Sequence, residues 1–380
     1  MAEGTQQIAG VFHLTRDNFI LDPVLDHACF ARDDINTHAI AESLDIDVVT
    51  GLAPKRLVWG PYGAGKTHTL MRTMEELGKL TPIHPVRIEC PDLAKKSRFH
   101  DLYREGIMRG LGQDFVIDLM ESVKLDVGMR RPAELRAELK RRFGDEEIAR
   151  AAERLYDPNF DRLKLWRWLS GVAMSQGDLN LLGQTQDLTE IEAARLADIL
   201  VMLGRLLRDL KKTTLVLILD EMERLRSIGP ETITTFVSGF TRLVDPNQRS
   251  LCVLVGASAQ LQSEMVDVFS GNSPVTSRLG PDALIEIPAL PDPDVNKFMA
   301  GVLKYVRRPE ANAQQLAEAM KGLTTEELTA EFFPFTVEAV EALKSRTKTL
   351  TPREITMQMT RALGRAHRKR AGIITVDCVA

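Results

Sequence analysis

The feature that most constrains the fold is the stretch of residues 60–67, Gly-Pro-Tyr-Gly-Ala-Gly-Lys-Thr. It follows the apolar residues 57–59 and precedes residues 68–79, which the pattern predicts to be helical. A strand, a glycine-rich loop and a helix with the spacing G-x-x-x-x-G-K-[ST] form the Walker A pattern. The alternative is a chance glycine-rich turn, but all four fixed positions and both flanks are present. The stretch therefore predicts a site for a nucleoside triphosphate, which we interpret as ATP.

Each fixed position of this loop has a chemical reason. Glycines let backbone N–H groups approach phosphate oxygens that a Cβ would obstruct, and the following helix directs its positive end at the same phosphates. Lys66 is predicted to reach the β- and γ-phosphates, and the Thr67 hydroxyl is predicted to bind Mg²⁺. The predicted nucleotide-binding residues of the loop are Gly60, Pro61, Tyr62, Gly63, Ala64, Gly65, Lys66, Thr67 and His68.

The second strong pattern is the apolar run of residues 215–219, which ends in Asp220 and Glu221. Such a run predicts a central parallel strand buried on both faces, and open α/β sheets bind ligands at the carboxyl ends of their strands. This is a Walker B pattern, in which Asp220 holds Mg²⁺ and Glu221 polarises the attacking water as general base. An acid after an apolar run is also a common strand end, so the functional interpretation depends on the complete Walker A pattern.

Two further polar residues are candidates for the catalytic site. Ser258 follows the predicted strand 251–256 and is the first candidate to orient the water beside the γ-phosphate, with Gln260 second; a plain helix cap is the alternative. Arg278 lies in the loop 274–280, before a predicted strand over 283–287. Its permanently charged, planar group suits transition-state charge on a neighbouring subunit's γ-phosphate. The alternative for Arg278 is a solvated surface arginine.

Length and composition limit the class of protein. A chain of 380 residues with 44% hydrophobic and 27% charged residues exceeds one ordinary core, and it predicts a globular protein with two domains or one large insertion. No apolar run approaches the roughly 18 residues of a membrane span, and the first residues do not resemble a signal peptide. The four cysteines are widely separated, which favours free buried thiols in a reducing cytoplasm. We therefore expect a cytoplasmic protein without a membrane partner.

The predicted organisation has three parts. Residues 1–29 form an irregular arm, 30–290 form an α/β domain and 291–380 form a helical lid, after a proline-rich hinge at 288–293. Within the α/β domain, residues of about 110–212 are almost wholly helical by pattern and form an insertion, because a parallel sheet needs only one helix between strands. Trp166 and Trp168 in this insertion are interpreted as buried core, with a partner surface as the alternative. The predicted fold class is the α/β parallel sheet of a P-loop nucleotide-binding domain with a helical insertion and an all-helical lid.

The lid ends in a basic segment, residues 344–370. It contains nine Lys or Arg residues and one acidic residue, Glu354, which gives a net charge of +8. Because the whole chain has a net charge of −4, the residues outside this segment carry −12. Such asymmetry indicates a surface for a polyanion, and the absence of aromatic residues favours contacts with a nucleic-acid backbone over base stacking. The alternative is a solvated face that docks on an acidic neighbouring subunit.

Taken together, these motifs resemble the AAA+ ATPases, and most of all their initiator-like branch of origin-recognition, transposition and phage-defence ATPases. Residues 30–35, 86–90 and 277–281 support that branch, and residues 163–171 with 220–225 are similar to ATP-binding proteins of BREX-type defence systems. The resemblance covers residues of about 30–365 and implies a homo-oligomer, either a ring or a filament. It also implies that Arg278 is an arginine finger and that Arg353 is a second sensor of the γ-phosphate. The large insertion departs from the usual compactness of these ATPases.

The residues around Arg353 favour that role independently. Pro352 is typical of a helix start, which would place Arg353 in the first helical turn, facing a nucleotide between lid and sheet. We therefore predict an ATP-hydrolysing switch in a DNA transaction such as phage defence, transposition or replication initiation. The main alternative is an ATP-dependent regulator of a protein effector that binds the helical insertion. A P-loop kinase is a third alternative, against which Asp220-Glu221 and the arginine-bearing lid argue.

Overall fold

The computed structural model describes residues 8–32, 34–91, 98–227, 230–245, 247–261, 264 and 283–379. The chain divides into two compact units, each built from segments that are distant in sequence. The first unit contains Met1–Thr37, Gly60–Thr73 and Ile287–Ala380, and the second contains His38–Trp59 and Met74–Glu286. By its contacts, the glycine-rich loop therefore belongs to the same unit as the C-terminal helices.

The second unit is built on a five-stranded sheet. Its strands are β1 (Lys55–Gly60), β2 (Ile83–Glu89), β3 (Thr214–Asp220), β4 (Leu251–Ser258) and β5 (Leu284–Glu286), in the order β2-β3-β4-β1-β5. The pairs β2–β3, β3–β4 and β1–β5 are parallel. Every residue of β3 is buried, as its continuous apolar run predicts. The structure thus confirms the α/β fold with a parallel sheet, in which the carboxyl ends of β3, β4 and β1 lie at one edge.

Strand β2 begins earlier than the sequence predicts. Pro82 and Pro85 indicate a turn before residue 86, but the strand starts at Ile83 and includes Pro85. Proline cannot donate a hydrogen bond to a neighbouring strand, and such a residue is tolerated where one side of the strand is unpaired. β2 is the first strand of the sheet order, so Pro85 occupies an edge.

Helices fill the chain between the strands. Before β5 they are α1 (Ile8–Val11), α2 (Thr37–Val49), α3 (Lys66–Leu80), α4 (Phe99–Asp101), α5 (Arg109–Leu111), α6 (Gln113–Val127), α7 (Pro132–Phe143), α8 (Glu146–Glu153), α9 (Arg162–Leu169), α10 (Gln176–Leu182), α11 (Ala193–Lys211) and α12 (Pro230–Leu243). A π-helical segment, Leu102–Met108, joins α4 to α5, and 3₁₀ turns occupy Arg154–Tyr156 and Met222–Ser227. Among these described elements, no strand interrupts the chain between β2 and β3, as the predicted insertion requires.

The insertion shares one hydrophobic core with the sheet, and Trp168 lies fully buried in that core while Trp166 packs against it partly buried. The indole N–H of Trp168 donates to the carbonyl of Gln186 at 3.2 Å, which satisfies its polar group. The stretch 131–155 has a charged amphipathic pattern throughout, but it forms two helices, α7 and α8. Gly144 ends α7 with φ of 71°, and the Asp145 side chain caps α8 by accepting from the N–H of Ile148.

The first unit combines the C-terminal helices with the N-terminal arm. Its helices are α13 (Val295–Val306), α14 (Ala313–Met320), α15 (Val337–Arg346), α16 (Pro352–Arg368) and α17 (Val376–Val379), with 3₁₀ turns at Asp292–Asp294 and Lys321–Leu323. Beyond α1 the arm is irregular, yet its Phe12, Leu14 and Phe19 are fully buried in the core of these helices. The backbone of Thr15 donates to the carbonyl of Val306 at 2.8 Å. Among the described helices, none combines the length and apolar character needed to span a membrane.

Candidate functional site

The glycine-rich loop has the conformation that its sequence predicts. β1 ends at Gly60 and α3 begins at Lys66, and Gly63 and Gly65 have φ of 80° and 95°, which non-glycine residues rarely adopt. A Cβ on Gly63 would lie 2.8 Å from the Cβ of Arg353. The buried Lys66 ammonium donates to the carbonyls of Gly60 at 3.2 Å and Pro61 at 3.0 Å. The lysine side chain therefore runs along the inside of its own loop, where a phosphate-binding cation is required.

A buried arginine that the sequence analysis did not single out supports this loop. Arg32 is 3% exposed, and its guanidinium donates to the carbonyl of Ala64 at 2.6 Å and to that of Pro288 at 3.0 Å. The same group forms a bidentate ion pair with Asp34, at 2.7 and 2.6 Å. Because the guanidinium fork has its donors in fixed directions, it joins three segments that are distant in sequence.

The structure places Arg353 against the same loop. Thr351 caps α16 and Pro352 opens it, so Arg353 lies in the first turn, as predicted. The Arg353 backbone N–H donates to the carbonyl of Gly63 at 3.2 Å. Its guanidinium lies over the ring of Tyr62, 4.7 Å from the ring centroid, which is a cation–π contact. The predicted sensor and the loop are thus in direct contact within one unit.

His68, in the first turn of α3, faces the arm. Its Nε2 lies 3.1 Å from the carbonyl oxygen of Asp26, and the Phe30 ring meets its ring edge-on at 5.9 Å between centroids. Burial lowers the pKa of His68, which keeps the ring neutral at pH 7. His68 is therefore held by the arm, and its predicted role in nucleotide binding stays a prediction.

In the second unit, β3 ends in the predicted acidic pair. Asp220 is 2% exposed, and its carboxylate accepts from the guanidinium of Arg87 at 2.9 Å and from the N–H of Glu221 at 3.0 Å. Arg87 lies on β2, which pairs with β3. A carboxylate can remain charged when buried only if it is paired in this way. These two bonds fix the Asp220 side chain at the carboxyl end of β3.

Glu221 has an unusual backbone and a cationic neighbour. Its φ of 57° lies in the left-handed region, which costs free energy in a residue other than glycine and is found most often at functional sites. Its carboxylate pairs with Arg224, which also pairs with Glu89 at 2.9 Å and donates to the carbonyl of Cys90. Burial raises the pKa of Glu221, and the carboxylates of Glu89 and Asp220 raise it further, while Arg224 opposes them.

The remaining catalytic candidates lie at or beyond the end of β4. β4 lies between β3 and β1 in the sheet order, and Ser258 is its last residue. The Ser258 N–H donates to the carboxylate of Glu223 at 2.9 Å. Gln260 is exposed, and its N–H donates to Glu264 at 2.7 Å. Arg278 lies outside the described residues.

The basic segment 344–370 contains cations that bond to other residues of the lid and cations that are exposed. Lys344 pairs with Asp292 at 2.7 Å, Arg365 donates to the carbonyls of Cys378 and Val379, and Lys369 donates to that of Asp377 at 2.8 Å. These three side chains stabilise the lid. Lys369 is nevertheless exposed, and the other exposed cations are Arg346, Lys348, Arg353, Arg361, Arg368 and Arg370.

Arg87, Arg224 and Arg32 are the site residues that the sequence analysis missed. Each lies within a stretch that was noted for other reasons, but no local periodicity reveals a cation whose partner carboxylate or carbonyl lies on another element. In the described part of the chain, no group of three or more His, Cys, Asp or Glu side chains could hold a metal ion by itself.

Comparison with known protein families gives a clear result for the sheet-containing region. A family model described as AAA domain matches residues 56–263, which is more than half of the chain. The chain belongs to the AAA domain family. The match includes β1, the glycine-rich loop and the acidic end of β3. A search of curated proteins finds no match.

Several solved structures resemble this AAA-domain chain at low sequence identity. The Aeropyrum pernix ORC1 protein in complex with DNA is 13% identical, with a TM-score of 0.46, over 98% of this chain and 68% of that chain. Drosophila ORC bound to DNA is 12% identical, with a TM-score of 0.47, over 100% of this chain and 65% of that chain. The Aeropyrum pernix ORC2 protein in ADPNP–ADP complexes is 11% identical, with a TM-score of 0.48, over 90% of this chain and 65% of that chain. The chain spans about two thirds of the length of these structures.

Proposed function

We propose that this AAA-domain protein binds ATP and hydrolyses it, and that the nucleotide switches the protein between two states. The observation that carries the proposal is the form of the glycine-rich loop, with left-handed Gly63 and Gly65, the Lys66 ammonium bonded to the loop's carbonyls and the Arg353 guanidinium over the ring of Tyr62. A loop of this form offers N–H groups and two cations to a polyphosphate, and membership of the AAA domain family supports the same function.

The chemistry assigns each residue a role. Lys66 would neutralise the β- and γ-phosphates while a water oxygen bonds to the γ-phosphorus and the bond to the β-phosphate oxygen breaks. Glu221 would take the proton of that water as general base. Ser258 would orient the water, and Arg353 would sense the γ-phosphate.

The Thr67 hydroxyl and the Asp220 carboxylate are the proposed ligands of Mg²⁺. Both are hard oxygen donors of the kind Mg²⁺ prefers, and Asp220 is held as a carboxylate at the end of a strand parallel to the one that leads into the loop. When bound, the ion would neutralise phosphate charge. The few protein ligands fit a cation that usually keeps several waters.

Nucleotide binding and turnover test these roles separately. Lys66→Ala is expected to abolish ATP binding measured by calorimetry, whereas Lys79→Ala, which removes an exposed lysine from the same helix, should bind as the wild type does. Glu221→Gln is expected to bind ATP but to lose at least a hundredfold in turnover. Glu105→Gln, which removes an exposed carboxylate that pairs with Arg104 outside the site, is the control for the change in charge. Normal turnover by Glu221→Gln would refute the assignment of the base.

We further propose that the active form is a homo-oligomer, a ring or a filament, in which Arg278 of one subunit completes the site of the next. This proposal rests on the resemblance of residues 277–281 to the initiator-like branch. Sedimentation with ATP and with ADP tests it, because ATP should favour the larger species. Arg278→Ala should remove most turnover while ATP binding remains. Unchanged turnover by this variant would exclude Arg278 as the finger.

For the biological role, we propose a DNA transaction such as replication initiation, transposition or phage defence. The supporting observation is that seven of the nine cations in residues 344–370 are exposed. A protein effector bound by the helical insertion is the second candidate, supported by the exposed apolar side chains of Leu125 and Met129 at the end of α6.

ATP turnover with and without double-stranded DNA, across a salt series, separates the two roles. The test variant replaces Arg346, Lys348, Arg361 and Arg368 by Gln. A control variant replaces four exposed cations of the insertion, Arg131, Arg136, Lys140 and Arg141. Stimulation that falls with salt and is lost only in the test variant would support the DNA role. Turnover that DNA does not change would favour the protein effector.

A further inference from the structure

The tyrosine of the glycine-rich loop has no role in the phosphate chemistry described above. Tyr62 occupies one of the variable positions of the motif, where phosphate binding requires only backbone. It is 62% exposed, although a large aromatic ring is normally better buried. Among the described residues, the contact that accounts for an aromatic ring at this position is with the guanidinium of Arg353, which lies 4.7 Å from the centroid of the Tyr62 ring.

The backbone around this contact is fixed on both sides. On the lid side, Arg353 lies in the capped first turn of α16, after Pro352. On the loop side, the N–H of Arg353 donates to the carbonyl of Gly63, the residue after Tyr62. These two segments of the chain approach so closely that Gly63 has no room for a Cβ. The remaining freedom is that of the long Arg353 side chain, which is exposed and rich in rotamers.

We propose that Tyr62 is a positioning residue whose ring holds the Arg353 guanidinium at the loop, and that it thereby sets the preference for ATP over ADP. The inference rests on the proposed function, because it needs Arg353 to meet the γ-phosphate. An aromatic face attracts a cation through the ring quadrupole, so the guanidinium is held close to the loop. Since ADP has no γ-phosphate, only ATP affinity should depend on the ring.

The magnitude follows from the exposure of the pair. An exposed cation–π contact corresponds to a factor of about two to five in an equilibrium constant. Tyr62→Leu, which removes the π face but keeps an apolar side chain, should therefore weaken ATP binding about two- to fivefold and leave ADP binding unchanged. Tyr62→Phe, which keeps the face and loses only the hydroxyl, should keep the wild-type ratio of the two dissociation constants.

A double-mutant cycle shows whether the ring acts through the arginine. Dissociation constants for ATP and ADP are measured by calorimetry on the wild type, Tyr62→Leu, Arg353→Gln and the double variant. If Tyr62 only positions Arg353, the double variant should match Arg353→Gln alone. Additive losses, equal weakening of both nucleotides by Tyr62→Leu, or failure of Tyr62→Phe to keep the ratio would overturn the inference.

The same measurements distinguish this inference from the proposed function. If the wild type binds neither nucleotide, both are wrong. If the wild type binds ATP, Lys66→Ala does not and Tyr62→Leu retains the wild-type ratio, the proposed function holds and the role of Tyr62 is refuted.

Discussion

The replacement of Asp26 by Asn is the most informative test of how the first unit is held together. Asp26 is 5% exposed, and its carboxylate accepts hydrogen bonds from the two terminal guanidinium nitrogens of Arg16, at 2.8 and 2.7 Å. It also accepts from the Tyr305 hydroxyl at 3.1 Å and from the N–H of Asp22 at 2.8 Å. One side chain of the arm thus joins two arm residues to α13.

The magnitude follows from the pKa of this carboxylate. The hydrogen bonds from Arg16, more than any other contact, lower the pKa of Asp26 from 3.8 to about 2. A difference of nearly two pKa units between the unfolded and folded states corresponds to about 2.5 kcal/mol of stability. Because the folded pKa is lowered, this stability is complete above pH 3.8 and is lost as the pH falls through 2.

Urea unfolding at pH 7, followed by circular dichroism, measures the effect. Asp26→Asn should lose about 2 kcal/mol, and Glu310→Gln, an exposed residue of the same unit, is the control for the change in charge. In a double-mutant cycle with Arg16→Met, the two losses should be strongly non-additive, since each variant removes the same ion pair. A loss below about 0.5 kcal/mol, or additive losses, would refute the reasoning.

Three further predictions concern other elements. Burial lowers the pKa of Lys55 to about 8 from 10.5, so the free energy of unfolding should rise by about 3 kcal/mol between pH 8 and 10.5, and Lys55→Met should abolish this rise in urea titrations. Gly204→Ala would place a Cβ 2.5 Å from the carbonyl oxygen of Ser250 and should cost about 1–3 kcal/mol by the same assay; a neutral effect would contradict the packing. Arg32→Ala should lower the melting temperature and weaken ATP binding at least tenfold, and Arg32→Lys should not restore binding, because lysine lacks the bidentate fork.

The parts of the fold that the sequence predicts well are those determined by neighbouring residues. The apolar run of β3, the loop between β1 and α3, and the start of α16 at Pro352 each have a local physical cause, and each lies where it was expected. The division at Gly144 and Asp145 was also locally encoded, as a helix end followed by a helix cap. The charged amphipathic pattern continues on both sides of this division and conceals it.

The parts that the sequence does not predict depend on partners that are distant in the chain. The edge position of β2, which permits Pro85, follows from strand order rather than from local pattern. The pairing of Arg87 with Asp220 and the bonds from Arg32 to Pro288 join elements more than a hundred residues apart. The predicted irregular arm had no periodicity from which the burial of Phe12 and Leu14 could be inferred.

The union of the arm with the C-terminal helices has a consequence for synthesis of the chain. Phe12, Leu14 and Phe19 emerge from the ribosome well before α13 and the helices that cover them. At about 5–20 residues per second, the 291 residues that separate Thr15 from its partner Val306 take roughly 15 to 60 s to translate. Throughout that interval the nascent chain carries an uncovered aromatic segment, while the sheet can already assemble. We therefore expect a chain truncated before α13 to aggregate through this uncovered arm.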